Sequence, residues 1–297
     1  MAYAVGVNSH RSGASQLRPG SAGNTILRPP FTLRMPVGEA PLIAMFEGAI
    51  LPRLLAAHDT VPVSRPAAET RTQPVSDQVA ALVPMAMQVE AGVLLDHAEA
   101  LLRQGVSIDS LFVDFLAPAA RQLGVLWEED RCDFVDVTMG LWRLQEVVRE
   151  LAARFPQERQ PGGAKRALFA AMPGDQHSFG TVMVDETFRR HGWETDLALE
   201  TTNADLLEQV GCNWFDVAGL TVSCDCHIDR ATSLIRAIRS VSRNSRIIIM
   251  VGGKAFLENS MLAMEVGADG TAADAVQAVT VAGGLVSAVA RELAASS

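Results

Sequence analysis

Asp175 and His177 stand two residues apart in the stretch Pro173-Gly-Asp-Gln-His-Ser-Phe-Gly180. At that spacing a carboxylate can reach the Nδ1–H of the imidazole and leave Nε2 free for a metal, fixing the tautomer and raising ligand basicity. Gly180, with no Cβ, lets a bulky ligand come close to the backbone. The plainer reading of the same residues is an exposed loop with a helix-capping Asp and an idle His. Two further stretches stand out, Ser223-Cys-Asp-Cys-His227 and the pair Gly252-Gly253. The Cys-Asp-Cys-His run looks like a metal cluster, but a tetrahedral site wants a second ligand pair and none shows convincing spacing. With 4 cysteines in 297 residues, too few and too irregular for a disulfide framework, reduced structural thiols at a strand end are expected.

These three loops are brought together by the order of the elements around them. Short apolar runs at 166–172, 194–199, 216–223 and 246–252 suit buried parallel strands, and helical patterns lie between and after them at 178–191, 203–211, 229–242, 257–266 and 274–295. Alternating strand and helix predicts an α/β domain over 164–297, a doubly wound parallel sheet of the flavodoxin-like kind whose fifth, short strand falls near 269–272. Ligands of such sheets bind beyond the carboxyl ends of the strands, where the winding reverses. The loops after strands one, three and four are therefore the place to look, and they are the three that carry the unusual residues.

Upstream, residues 76–155 repeat Leu, Val, Ala and Met with a period near 3.6. Helices are expected at 76–87, 88–104, 108–125 and 133–154, with Ser107 and Asp133 as start signals, forming a four-helix bundle. A hinge of Pro, Gln, Arg and Gly follows at 156–164. Before the bundle, 41–58 reads as a short amphipathic helix broken around Pro52, and 59–75 as a linker carrying Pro62, Pro66 and Pro74. Residues 1–40 have no acidic side chain before Glu39 and no hydrophobic period, so a disordered arm is expected.

The net charge of -9 and a pI near 5.2 argue against strong direct binding to nucleic acid. The longest continuous apolar runs, such as 246–253, fall well short of the ~20 residues that cross a bilayer. The basic N-terminus lacks the apolar core of a secretory signal. No membrane association and a cytoplasmic location are expected.

Asp175-x-His177-x-x-Gly180 after a first strand resembles the Asp-x-His-x-x-Gly signature of base-off, His-on cobalamin-binding domains. That resemblance implies that His177 takes the lower axial position on cobalt. It further implies that the dimethylbenzimidazole tail is buried between strands one and three, with Ser223 contacting it and Gly252-Gly253 lining it. Cys224 and Asp225 depart from the usual continuation after that serine. The implied cofactor-binding set is Trp127, Asp175, His177, Ser178, Phe179, Gly180, Ser223, Cys224, Gly252 and Gly253, with His177 the metal ligand and adenosylcobalamin or hydroxocobalamin the cofactor. Cobalamin domains commonly sit beneath a four-helix cap. In CarH-type photoreceptors a cap Trp is followed after nine residues by Glu-His, whereas Trp127 is followed there by Val137-Thr138. Trp127 then reads equally as a residue over the cofactor or as core, and Trp142 on the next helix reads as packing.

Trp127 to Thr138, the His177 loop and Glu47 to Arg53 ending in His58 together resemble the AerR/PpaA group over roughly residues 40–280. The resemblance implies a cobalamin-binding, light-responsive antirepressor that contacts a CrtJ/PpsR-type repressor and is not an enzyme. A corrinoid carrier for a methyltransferase is the competing expectation, because it uses the same site. The catalytic barrel of about 250 residues that such an enzyme needs has no room in this chain and would come from a partner. A stand-alone DNA-binding photoreceptor would need a helix-turn-helix ahead of the bundle, which residues 1–75 do not offer. Deleting residues 1–36 is expected to leave cobalamin affinity unchanged in a spectroscopic titration and to affect partner binding only. Loss of cofactor on truncation would show instead that the arm closes over the site.

Overall fold

The computed structural model describes residues 75–155, 164–175 and 177–296. The arm, the 41–58 helix, the linker as far as residue 74 and the hinge as far as residue 163 lie outside them. All described residues fall within one compact unit, Glu69–Ser297.

The first part is helical: α1 (Val75–Gln88), α2 (Ala91–Arg103), α3 (Ile108–Ser110), α4 (Ala117–Glu128) and α5 (Phe134–Arg154). Both start signals do what the sequence suggests. The Ser107 hydroxyl accepts from the Ser110 N–H at 3.0 Å, and Asp133 and Asp136 form a reciprocal capping box at the head of α5. Between α3 and α4 the chain is π-helical over Leu111–Leu116, which the sequence did not reveal. The wider turn there puts Leu111, Phe112, Phe115 and Leu116 all into the core, where a regular helix would turn one of them outward. These side chains meet Leu82, Leu94, Leu123, Leu144, Val148 and Leu151 in one apolar cluster. The Arg143 guanidinium donates to the Ala86 and Met87 carbonyls at 2.8 and 2.7 Å, closing the end of α1 against α5.

The second part alternates strictly: β1 (Arg166–Ala171), α6 (Phe179–Arg190), β2 (Glu194–Ala198), α7 (Asn203–Cys212), β3 (Val217–Thr221), α8 (Ile228–Val241), β4 (Ile248–Gly252), α9 (Lys254–Glu258), α10 (Met261–Glu265) and α11 (Ala275–Ser296). The sheet is parallel throughout, in the order β2-β1-β3-β4. Successive strand residues face opposite layers. Ala167, Phe169, Val217, Ile248 and Met250 pack under α6 and α11, while Leu168, Ala170, Ala218, Leu220, Ile249 and Val251 pack under α7 and α8. Helices on both faces make the fold doubly wound, as the sequence indicated.

Two expectations are corrected. The sheet has four strands, not five, because the segment at 269–272 makes a single bridge, Met250 to Gly270. Before that bridge the Asp269 carboxylate takes the Ile249 N–H at 2.6 Å in place of a backbone carbonyl, so the pairing does not extend back from Met250 and Gly270. The expected helix at 257–266 is divided into α9 and α10, since Asn259 leaves helical geometry and its side-chain oxygen accepts from the Met261 N–H at 3.1 Å. α11 is, by length and composition alone, long and apolar enough to span a membrane. Its Val279, Ala282, Leu285, Val286 and Val289 lie against the sheet.

Asp269 also pairs with Arg239 at 2.8 Å, while that guanidinium keeps the Ile247 and Gly267 carbonyls, so Asp269→Ala strips a part-buried backbone N–H of its acceptor and removes one ion pair. A loss of about 1–3 kcal/mol is expected from the unsatisfied donor, measured as a shift in the urea midpoint. An unchanged midpoint would mean that the bridge does not depend on this carboxylate.

Candidate functional site

The chain winds outward in opposite directions from β1 and β3, so the crevice of this sheet opens at their carboxyl ends. The loop after β1 is turned back toward that crevice at once. Met172 N–H donates to the Thr221 carbonyl at 2.9 Å, Gly174 takes the left-handed backbone at φ +89°, and Asp175 N–H closes onto the Met172 carbonyl at 2.8 Å. A side chain at Gly174 would be strained there, and the residue faces the Arg230 guanidinium. Arg230 in turn donates to the Pro173 carbonyl at 2.9 Å and lies 3.2 Å from His227 Nδ1.

This turn buries the Asp175 carboxylate, 3% exposed, between two loops. Its Oδ1 accepts from the His177 backbone N–H at 3.0 Å and lies 2.9 Å from His177 Nδ1. Its Oδ2 accepts from the Ser223 backbone N–H at 3.0 Å and from the Ser223 hydroxyl. Burial pushes the carboxyl upward, but the Ser223 hydroxyl and the other three donors outweigh it, so Asp175 titrates below its ordinary value. Ser223 Oγ also lies 3.1 Å from His177 Nδ1. A charged carboxylate only accepts, and a serine whose proton goes to that carboxylate can offer only its lone pairs to the ring. Both partners therefore require Nδ1–H, which leaves Nε2 bare on a ring whose side chain is 73% exposed. Asp175 thus orients the His177 ring.

Around this relay the remaining sequence-predicted residues fall into separate places. Ser178 accepts a 3.4 Å hydrogen bond from Gln145 of α5, and Phe179 packs against the helical core together with Met183. Gly180 has open space where a side chain would stand. Gly252 pairs with Thr221 at the end of β4, its carbonyl accepting from Val222 N–H at 2.8 Å. Gly253 has φ +125°, and any Cβ there would run into the Val222 carbonyl, so only glycine fits this edge of the crevice. Cys224 is joined to Cys226, with Cα atoms 5.2 Å apart. The expectation of reduced thiols is overturned for that pair, because the 3-10 turn Asp225–His227 folds the second sulfur back onto the first. Cys132 and Cys212 are free thiols. Among the described residues no cluster of three or more His, Cys, Asp and Glu could hold a metal.

Trp127, near the end of α4, is 48% exposed, and no described contact ties it to the loops. Trp142, read from the sequence as packing, is also 48% exposed. Gln145, Thr181 and Arg230 are site neighbours that sequence reasoning missed. The Thr181 hydroxyl, fully buried, meets that of Thr221 at 2.5 Å where β1 and β3 part. Nothing in a lone amide on an amphipathic helix or a threonine after a glycine marks such roles before the fold is known.

The donor set suits a corrinoid: one open imidazole nitrogen, a carboxylate behind it, and open side-chain-free positions at Gly180 and Gly252 where a large planar group would approach the backbone. Residues 165–280 match the family model described as "B12 binding domain". This stretch is thus similar to B12-binding domains. The chain is also 27% identical over 166 residues, 55% of its length and 85% of the relative's, to an uncharacterized 20.5 kDa protein in the bchF-crtJ intergenic region of Rhodobacter capsulatus. These two likenesses are consistent with the AerR/PpaA group read from the sequence. Among solved structures, the Methanosarcina barkeri monomethylamine corrinoid protein shares the fold, with a TM-score of 0.59 and 16% identity over 70% of this chain and 98% of that one.

His177→Ala is expected to abolish tight cobalamin binding or to shift the bound spectrum to a water-ligated or base-on form. Asp175→Asn should weaken binding by roughly 10–100-fold, because the ring loses its orienting acceptor. Wild-type spectrum and affinity in His177→Ala would remove the His-on assignment. Asp175 also makes a pH signature. A carboxyl with a lowered folded pKa contributes stability that is full above its unfolded value and is lost as pH falls through the folded one. The acid limb of the wild-type stability curve should therefore be steeper than that of Asp175→Asn.

Proposed function

We propose that this protein is a cobalamin-binding, light-responsive regulator that works by protein contact, an antirepressor toward a CrtJ/PpsR-type repressor. The observation that carries the binding half is the Asp175–His177–Ser223 relay, which presents one bare imidazole nitrogen at the crevice of a B12-binding domain. Support for the regulatory half is the relative assigned to a bchF-crtJ intergenic region, a location whose label includes crtJ.

When bound, cobalamin would supply a light-sensitive cobalt–carbon bond. The chain's own residues do the rest. His177 would hold the cobalt through an imidazole of fixed tautomer, Ser223, Gly252 and Gly253 would line the crevice that takes the nucleotide, and Trp127 of the helical part would pack against the bound group. A binding module of this kind needs no substrate chemistry. Its output is a change in which partner surface is available, in a cell compartment we take to be the cytoplasm.

A second reading, a corrinoid carrier serving a methyltransferase, is favoured by the fold shared with the monomethylamine corrinoid protein. The two readings separate on turnover and partner. The purified protein, loaded with adenosylcobalamin, is expected to change its absorption spectrum on illumination and to bind the repressor differently in the dark and in the light. Equal repressor binding in both states, together with methyl transfer from a supplied methyl donor and methyltransferase, would establish the carrier instead.

A further inference from the structure

Ser223 is held from both sides. Behind it, Val222 N–H donates to the Gly252 carbonyl at 2.8 Å, and the Val222 carbonyl fills the space that a Cβ on Gly253 would need. Ahead of it, the chain turns at once into the 3-10 segment Asp225–His227, closed by His227 N–H on the Cys224 carbonyl at 3.0 Å. Cys224 and Cys226 are joined across that turn, and Cys226 N–H donates to Cys224 Sγ at 3.2 Å. Beyond the turn, Arg230 lies 3.2 Å from His227 Nδ1 and donates to the Pro173 carbonyl at 2.9 Å. The disulfide therefore sits between the two places where this loop grips the loop of His177, Ser223 on Asp175 at one end and Arg230 on Pro173 at the other.

Two thiols cannot occupy the place of one S–S bond, so reduction must open the turn. The residue next to it in the chain supplies two of the four donors to Asp175 and lies 3.1 Å from His177 Nδ1. Both cysteines are exposed, so a reductant can reach them, and exposed disulfides are the labile ones. The other two cysteines are free thiols elsewhere, Cys132 just before α5 and Cys212 at the end of α7.

We propose that Cys224 and Cys226 are a redox modification site, a thiol–disulfide pair open to small dithiols, whose oxidised form holds Ser223 on the Asp175–His177 relay and so keeps cobalamin binding tight. This rests on the cobalamin reading above. The chemistry is exchange in two steps. One thiolate of the dithiol attacks a sulfur of the pair, the S–S bond breaks, and the other cysteine leaves as a thiolate. The second thiolate of the reductant then attacks the mixed disulfide and releases the first cysteine, so two electrons and two protons pass to the protein and the reductant departs as its own disulfide. A glutathione disulfide reverses the exchange and departs as two thiols. By linkage, a cofactor that binds the oxidised form better also favours the closed pair.

The test uses the full chain carrying Cys132→Ser and Cys212→Ser, so that only the pair responds. It is reduced with dithiothreitol or oxidised with oxidised glutathione, and each form is freed of reagent by gel filtration under nitrogen. Intact mass should show the oxidised form lighter by two hydrogens, with no glutathione attached. Dark equilibrium dialysis with adenosylcobalamin should give about tenfold weaker binding for the reduced form, the low end of what loss of a ligand-orienting contact costs, and reoxidation should restore it. Adding Cys224→Ser and Cys226→Ser should fix the weak affinity under both treatments. Equal affinities in the two states overturn the inference, as does a pair that takes up glutathione without closing. So does a serine variant that binds as tightly as the oxidised protein. Failure of the oxidised protein to bind any cobalamin, with the pair seen to open and close, would instead overturn the reading on which the inference rests.

Discussion

The site depends on a buried carboxylate that is fully occupied. Asp175 takes four hydrogen bonds, two from each of the loops that follow β1 and β3. A carboxylate this buried would be costly without them, and each donor left out would raise that cost. The arrangement is therefore cooperative: the same four bonds that keep Asp175 charged also pin the imidazole, set its tautomer and close the mouth of the crevice with Ser223. A loop carrying His177 alone would present a ring free to flip between two nitrogens. Here Nε2 faces outward by construction.

The helical part is tied to that loop through the element after it. α6 begins at Phe179, and its first two turns put Phe179 and Met183 into the helical core while its buried Thr181 reaches Thr221 of β3. At its other end Arg190 and His191 approach Asp109 of α3 at 3.7 and 3.4 Å. A displacement of α5 against the sheet would therefore pull on α6 at both ends, and the end nearer the ligand is continuous with His177. Packed elements of this kind have discrete arrangements, not continuous ones. A ligand shifts such an equilibrium only as far as it binds one arrangement better than the other.

Much of this was legible in the sequence, and the reasons are specific. The strands could be read because they are buried on both faces and so run as unbroken apolar segments, and Asp133 announced α5 because a cap is local chemistry. The Asp175–His177 pair was legible because two residues fix the reach of a carboxylate to a ring. The contribution of Ser223 came from resemblance alone, since no spacing rule connects residues 48 apart. What stayed hidden was non-local or compensated. The fifth strand failed because one side chain replaced a backbone acceptor, the π-helical turn because apolar periodicity does not show an inserted residue, and the Cys224–Cys226 pairing because composition argued about frameworks and not about one tight turn.

Trp142 shows where residue type misleads. On an amphipathic helix a tryptophan among Leu141, Leu144 and Val148 reads as core, and its neighbours are indeed buried or half-buried. The core side of α5 runs its whole length through Val137, Gly140, Leu144, Val147, Val148 and Leu151, whereas Trp142 lies on the opposite side with Val135, Met139 and Glu146, so that it is the apolar residue type and not the helical position that suggests packing.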